Sequence, residues 1–146
     1  MKFPDVVLSD LKEEEHTFTS LIESDKLNLI LFYNTNCLGC TGRAIPLAYK
    51  FLQENNFIAL TVIHSNFRPT PFSNDEVLSV FTDNQSPFNI YREENHELYD
   101  FFGCEGTPHW LIINGKGEVV HSFFGSQEGA QMKLHYAIQE FAEQFL

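Results

Sequence analysis

Leu27-Asn28-Leu29-Ile30-Leu31-Phe32-Tyr33 (LNLILFY) runs through Asn34-Thr35-Asn36 into Cys37-Leu38-Gly39-Cys40, and this passage decides the fold. The apolar run has the length and aromatic content of a short buried strand. Beyond the second cysteine, Ala44, Leu47, Ala48, Phe51 and Leu52 recur at helical spacing. A strand that ends at a cysteine pair and restarts as a helix aims the first thiol at the helix N-terminus. Unsatisfied N–H groups and the positive end of the dipole favour the thiolate there. Thiol–disulfide exchange needs that arrangement.

Working outward, Phe57 to His64 (FIALTVIH) reads as a second buried strand, and strand–helix–strand at this spacing implies a parallel pair with a right-handed crossover. On the N-terminal side, Val6 to Leu8 predicts a short strand, and Phe18, Leu21 and Ile22 one or two helical turns. Ser73 and Glu76 form a capping-box pattern opening a helix with Val77, Leu78 and Phe81 on one face. Pro87 to Tyr91 predicts a further strand, and Leu98, Phe101 and Phe102 a short helix. His109 to Asn114 and Glu118 to Phe124 flank Asn114-Gly115-Lys116-Gly117, a hairpin signal. Ser126 is placed to cap a last helix carrying Leu134, Ala137, Ile138, Phe141, Ala142 and Phe145. The sum is an α/β chain, a mixed central sheet flanked by helices, with its chemistry at the end of the first central strand. No repeat or linker divides it, so residues 1–146 are expected to form one domain.

Composition narrows the function. With 43% apolar residues and 15 Phe the chain is globular, and a net charge of −11 opposes binding to nucleic acid or to an anionic membrane. No run approaches the roughly 18 apolar residues of a membrane span. The opening Met1-Lys2-Phe3-Pro4-Asp5 lacks the layout of a secretion signal, so the expected place is the cytoplasm, or the cell envelope or periplasm if a leader was removed.

Three cysteines allow at most one internal bridge. A bridge closing a four-residue ring stabilises by only about 2 kcal/mol, against more than about 4 for a loop near 70 residues. The close pair therefore suits redox turnover better than stapling. Cys37, exposed at the strand end, is expected to be the nucleophile, and Cys40, one turn into the helix, the resolving thiol. Only about 3% of an ordinary thiol is ionised at pH 7, against half when its pKa is near 7. Arg43 is a candidate cation for that shift.

A second constellation is Gly106-Thr107-Pro108-His109-Trp110, at the start of an apolar strand where a proline is tolerable. The Cys37/Cys40 pair, this Gly-Thr-Pro, the apolar strand and the N-G-K-G hairpin together resemble the thioredoxin superfamily. The long middle section resembles its TlpA/ResA-like branch, in which a strand–helix insertion precedes the cis-proline loop. The likeness runs from about Phe18 to Phe145. It implies a thioredoxin fold and dithiol–disulfide exchange, with Cys37 attacking, Cys40 resolving, and Thr107 and Pro108 forming a cis-proline loop that pairs with an extended substrate segment. It also implies protein thiols or disulfides and an upstream redox partner, action as a reductase, and no cofactor or metal.

Several positions depart from that pattern. Asn36 stands where a tryptophan usually precedes the first cysteine, removing an aromatic wall. Leu31 stands where many thioredoxins carry a buried aspartate, and Arg43 where ResA-like proteins carry a glutamate. Pro46 falls one residue later than the usual helix-kinking proline, which predicts a bulged helix. Gly39 lacks the common proline. Asn34 and Ile30 lack the threonine and proline that peroxiredoxins place before their reactive cysteine, which argues against a peroxidase. Cys104 reads as a small buried residue and His109 as a polar strand-end residue, with proton shuttling the sharper reading of His109. The competing readings are a binding module holding metal through Cys37, Cys40 and Cys104, with His109 a fourth possible ligand, and a docking domain using the cis-proline loop.

Overall fold

A computed structural model of the protein describes residues 3–144. Phe145, expected on the last helix, lies outside the described residues. Seven strands form one sheet in the order β2-β1-β5-β4-β3-β6-β7. The strands are β1 (Val7–Ser9), β2 (Glu15–Thr17), β3 (Leu27–Tyr33), β4 (Ile58–His64), β5 (Ile90–Arg92), β6 (His109–Ile113) and β7 (Val119–Phe124). The helices are α1 (Phe18–Leu21), α2 (Ile45–Glu54), α3 (Asn74–Leu78), α4 (Glu97–Phe101) and α5 (Glu128–Gln144). β3, β4 and β5 are mutually parallel, while β6 runs antiparallel to β3 and β7 to β6. The mixed sheet predicted from the sequence is therefore present, with α3, β5 and α4 inserted between β4 and β6. Among the described residues no helix is long and apolar enough to cross a membrane.

Every residue of β3 is buried, because helices cover both faces of the central strands. Alternation then sorts the core into two layers. Leu29, Leu31, Tyr33, Val62, Trp110 and Ile112 pack with α2 and α5, and Cys40 belongs to this layer. Ile30, Phe32, Ile63, Leu111 and Ile113 pack on the other face with Phe18 and Leu98. Asn28 is the polar exception within β3. Its Nδ2 donates to the carbonyls of Glu23 (2.9 Å) and Ile113 (3.3 Å), and its Oδ1 accepts the Glu23 N–H at 2.8 Å.

Several boundaries differ from the sequence reading, each for a local reason. The polar edge strand β2 has no apolar alternation and is held by pairing Val7 with Thr17 and Leu8 with His16. β5 begins at Ile90 and not at Pro87, since Ser86 Oγ takes the Phe88 N–H in a local turn. The capping box at Ser73 and Glu76 is formed, but α3 stops at Leu78, short of Phe81. α5 opens at Glu128, which places Ser126 just outside it.

Candidate active site

β3 delivers the chain to the cysteines, and hydrogen bonding there is dense. Asn34 carries the turn: its carbonyl accepts the Cys37 N–H (3.0 Å) and its Oδ1 the Asn36 N–H (2.9 Å). Its Nδ2 donates to the Ser65 carbonyl at 2.8 Å, tying the turn to the end of β4. Cys37 then stands at the N-terminus of a helical segment, where its carbonyl accepts from the N–H groups of Cys40 and Thr41, both at 3.1 Å.

The two cysteines are joined by a disulfide, with Cα atoms 5.2 Å apart. Cys37 is half-buried at the rim and Cys40 is fully buried. The Cys40 N–H donates to Cys37 Sγ at 3.1 Å, as a backbone N–H does to an N-cap side chain. Residues Cys40–Ala44 form a π turn, in which the Ile45 N–H reaches back to the Cys40 carbonyl. The extra residue of the π turn accommodates the late position of Pro46, the second residue of α2, whose lack of an N–H interrupts the helical bonding where the π turn passes into α2.

Opposite the cysteines, the Thr107–Pro108 peptide bond is cis and the Thr107 carbonyl oxygen lies 3.3 Å from Cys37 Sγ. The Pro108 carbonyl accepts the Gly125 N–H (2.9 Å), and Trp110 Nε1 donates to the Gly125 carbonyl (2.8 Å), so the end of β7 is fastened to this loop. Cys37, Arg43, Thr107 and Pro108 share an open hollow of about 460 Å³ with Leu38, Phe124, Ser126 and Gln127. Leu38 (88% exposed) and Phe124 (55% exposed) present apolar surface there. The far wall, Phe124 to Gln127, went unread in the sequence. β7's pairing with β6 brings it to the site, and the sequence offered only Phe124 as a strand end and Ser126 as a helix cap.

Arg43 is exposed on the π turn and lines this hollow. His109 is not brought to the cysteines. It is buried opposite Phe32 on the other face of the sheet, with its Nε2 2.8 Å from Ser122 Oγ, and burial lowers its pKa. Cys104 packs in the same far layer as Phe32 and Leu111. Burial, then the charges of Glu93 and Asp100, push its thiol up to about 12. The four groups weighed as a metal set therefore lie on two sides of the sheet. Leu31, fully buried in the layer of Cys40, offers no carboxylate beneath the pair.

No protein-family model matches the chain, and no curated protein matches its sequence. Solved structures do match. A candidate thiol:disulfide interchange protein DsbE from Chlorobium tepidum aligns with TM-score 0.77 at 13% identity, over 94% of this chain and 93% of that one. A thioredoxin-like protein from Porphyromonas gingivalis aligns at 0.72 and 21% identity, over 97% and 92%. A thiol-disulfide isomerase from Corynebacterium glutamicum aligns at 0.70 and 20% identity, over 90% of each chain. The chain has the thioredoxin fold.

Proposed function

We propose that this protein is a thiol–disulfide oxidoreductase that exchanges its Cys37/Cys40 dithiol with disulfides of partner proteins, working as a reductase. The observation that carries this reading is the asymmetry of the pair: Cys37 at the rim beside the Thr107 carbonyl, Cys40 buried behind it. The interchange activities named for the similar structures point the same way.

In the proposed cycle the Cys37 thiolate attacks one sulfur of a substrate disulfide. A Cys37–substrate disulfide forms and the first substrate thiolate leaves. Cys40, deprotonated, then attacks Cys37 Sγ, releasing the second substrate thiolate and closing the Cys37–Cys40 bridge. Two electrons pass to the substrate, whose two thiolates take up the two protons given up by the cysteines. The hollow bounded by Thr107, Pro108 and Phe124 would hold the substrate segment extended against the Thr107 backbone. Leu38 and Phe124 supply apolar contact in place of the tryptophan absent at Asn36.

The test is turnover. Wild-type protein should accelerate the reduction of insulin disulfides by dithiothreitol at pH 7, and Cys37→Ser should give the rate of dithiothreitol alone. Wild-type protein that adds nothing to that rate would remove the reading.

A further inference from the structure

The segment that carries the nucleophile is gripped by more than Asn34. Three consecutive N–H groups, of Thr35, Asn36 and Cys37, all have acceptors, and the first is not on the local chain. Thr35 N–H donates to Nε2 of His64 at 3.2 Å, across from β3 to the last residue of β4. His64 is fully buried and registers beside Tyr33, which immediately precedes the turn.

The surroundings of His64 favour a neutral ring. Tyr33 meets it edge-on at 5.2 Å between centroids, and Phe72 packs against it at a tilt of 57°, 4.4 Å between centroids. Two arginines approach from separate elements. Arg92 of β5 pairs in register with His64, and Arg68 holds its guanidinium 3.6 Å from the centre of the Phe72 ring. Among the described residues Glu76 of α3 is the acidic group that acts on the ring, and it is engaged by Arg68 at 2.7 Å. Burial, reinforced by the two arginines, lowers the pKa of His64 to about 4. An Nε2 that accepts a hydrogen bond leaves the ring proton on Nδ1, which is buried with no hydrogen-bond partner among the described residues, so the Thr35 bond alone sets the tautomer.

From this geometry we propose that His64 is a positioning residue for the nucleophile, its neutral Nδ1–H imidazole fixing the turn before Cys37 by accepting the Thr35 N–H. His64 acts on the cysteine only through that turn: Thr35 is held from β4, Asn36 and Cys37 are held by Asn34, and Asn34 is itself anchored to Ser65, the residue after His64. One side chain and its neighbour's carbonyl thus set where the rim sulfur stands relative to the Thr107 carbonyl. The inference rests on Cys37 being the reactive thiol.

Two measurements on the full chain test it. Nitrogen NMR of the wild-type His64 ring should show a neutral Nδ1–H tautomer throughout pH 5.5 to 8. A ring protonated at Nε2, or one titrating near its ordinary value, would overturn the proposal without any variant being made. The second reads the rate at which reduced protein is alkylated at Cys37 by iodoacetamide at pH 7. His64→Leu, which removes the acceptor, should slow it about tenfold, the worth of one hydrogen bond. His64→Gln, whose Oε1 can take the place of Nε2, should return it to within about threefold of wild type. Equal rates in the Leu and wild-type proteins, or equal losses in Leu and Gln, contradict positioning. Failure of wild-type Cys37 to react faster than Cys40 and Cys104 would instead count against the oxidoreductase reading itself.

Discussion

The backbone N–H of Cys40 donates to Cys37 Sγ at 3.1 Å, so in the proposed cycle the amide of the residue that would resolve the mixed disulfide also solvates the sulfur its side chain would attack. The same helix start presents its positive end to that sulfur, and both effects favour the thiolate. After reduction, brief alkylation should therefore label Cys37 first, with Cys40 and the deeply raised Cys104 lagging. Peptide mapping reads this directly. Preferential labelling of Cys40 would reverse the assigned roles.

Removing the resolving thiol should leave partners attached. Cys40→Ser is expected to accumulate mixed disulfides with a disulfide-bearing protein substrate, seen as adducts on a non-reducing gel. Cys37→Ser should give none, because Cys40 is fully buried and Cys104 lies in the opposite core layer. Equal adducts in both variants would make Cys104 the reactive thiol.

Gly106 stands at φ 152°, and a Cβ there would sit 2.9 Å from the Phe124 ring. Gly106→Ala should destabilise the protein by about 1–3 kcal/mol and displace Phe124 from the hollow, slowing exchange. In a Phe124→Ala background the same change should cost less, because the clashing ring is gone. Chemical denaturation of the four proteins gives the coupling. Strict additivity would locate the strain in the backbone alone and leave Phe124 unplaced.

The buried His64 makes stability depend on pH in a defined window. Its folded pKa, about 4, lies below its ordinary 6.5, so the unfolded chain binds the proton first as pH falls. Stability is then full above about 6.5 and declines as pH drops towards 4, by an amount on the order of 3 kcal/mol. Glu93 acts in the opposite sense: burial raises its pKa, so protonation in acid relieves a cost present at neutral pH. Comparing wild type with His64→Gln isolates the histidine, and the difference in unfolding free energy should change between pH 7 and 4.5. A constant difference across that range would show that His64 is not held neutral by the fold.

The parts legible from sequence were those written in continuous apolar runs. Leu27 to Tyr33 and Phe57 to His64 read as buried strands once a helical pattern lay between them, and the second begins one residue later, at Ile58. The late Pro46 carried the π turn in its spacing, because an extra residue in a helix has few places to go. β2 carried no such signal: Glu15-His16-Thr17 is polar and becomes a strand only through its partner β1. His109 was open to a better reading, since it is an even number of residues from Leu111 and thus shares its face, away from the cysteines. The role of His64 was hidden because it ends an apolar strand like any buried polar residue. Only the Thr35 N–H across the sheet distinguishes it.

Equilibration of the protein in glutathione buffers of graded potential, with Cys37 and Cys40 quantified by peptide mapping, tests the central claim most directly. The account predicts one two-electron transition in which both cysteines pass together from dithiol to bridge, at a potential towards the reducing end, about −270 mV. Cysteines 37 and 40 that take up glutathione independently without ever closing the bridge would contradict it, as would a bridge that forms to Cys104.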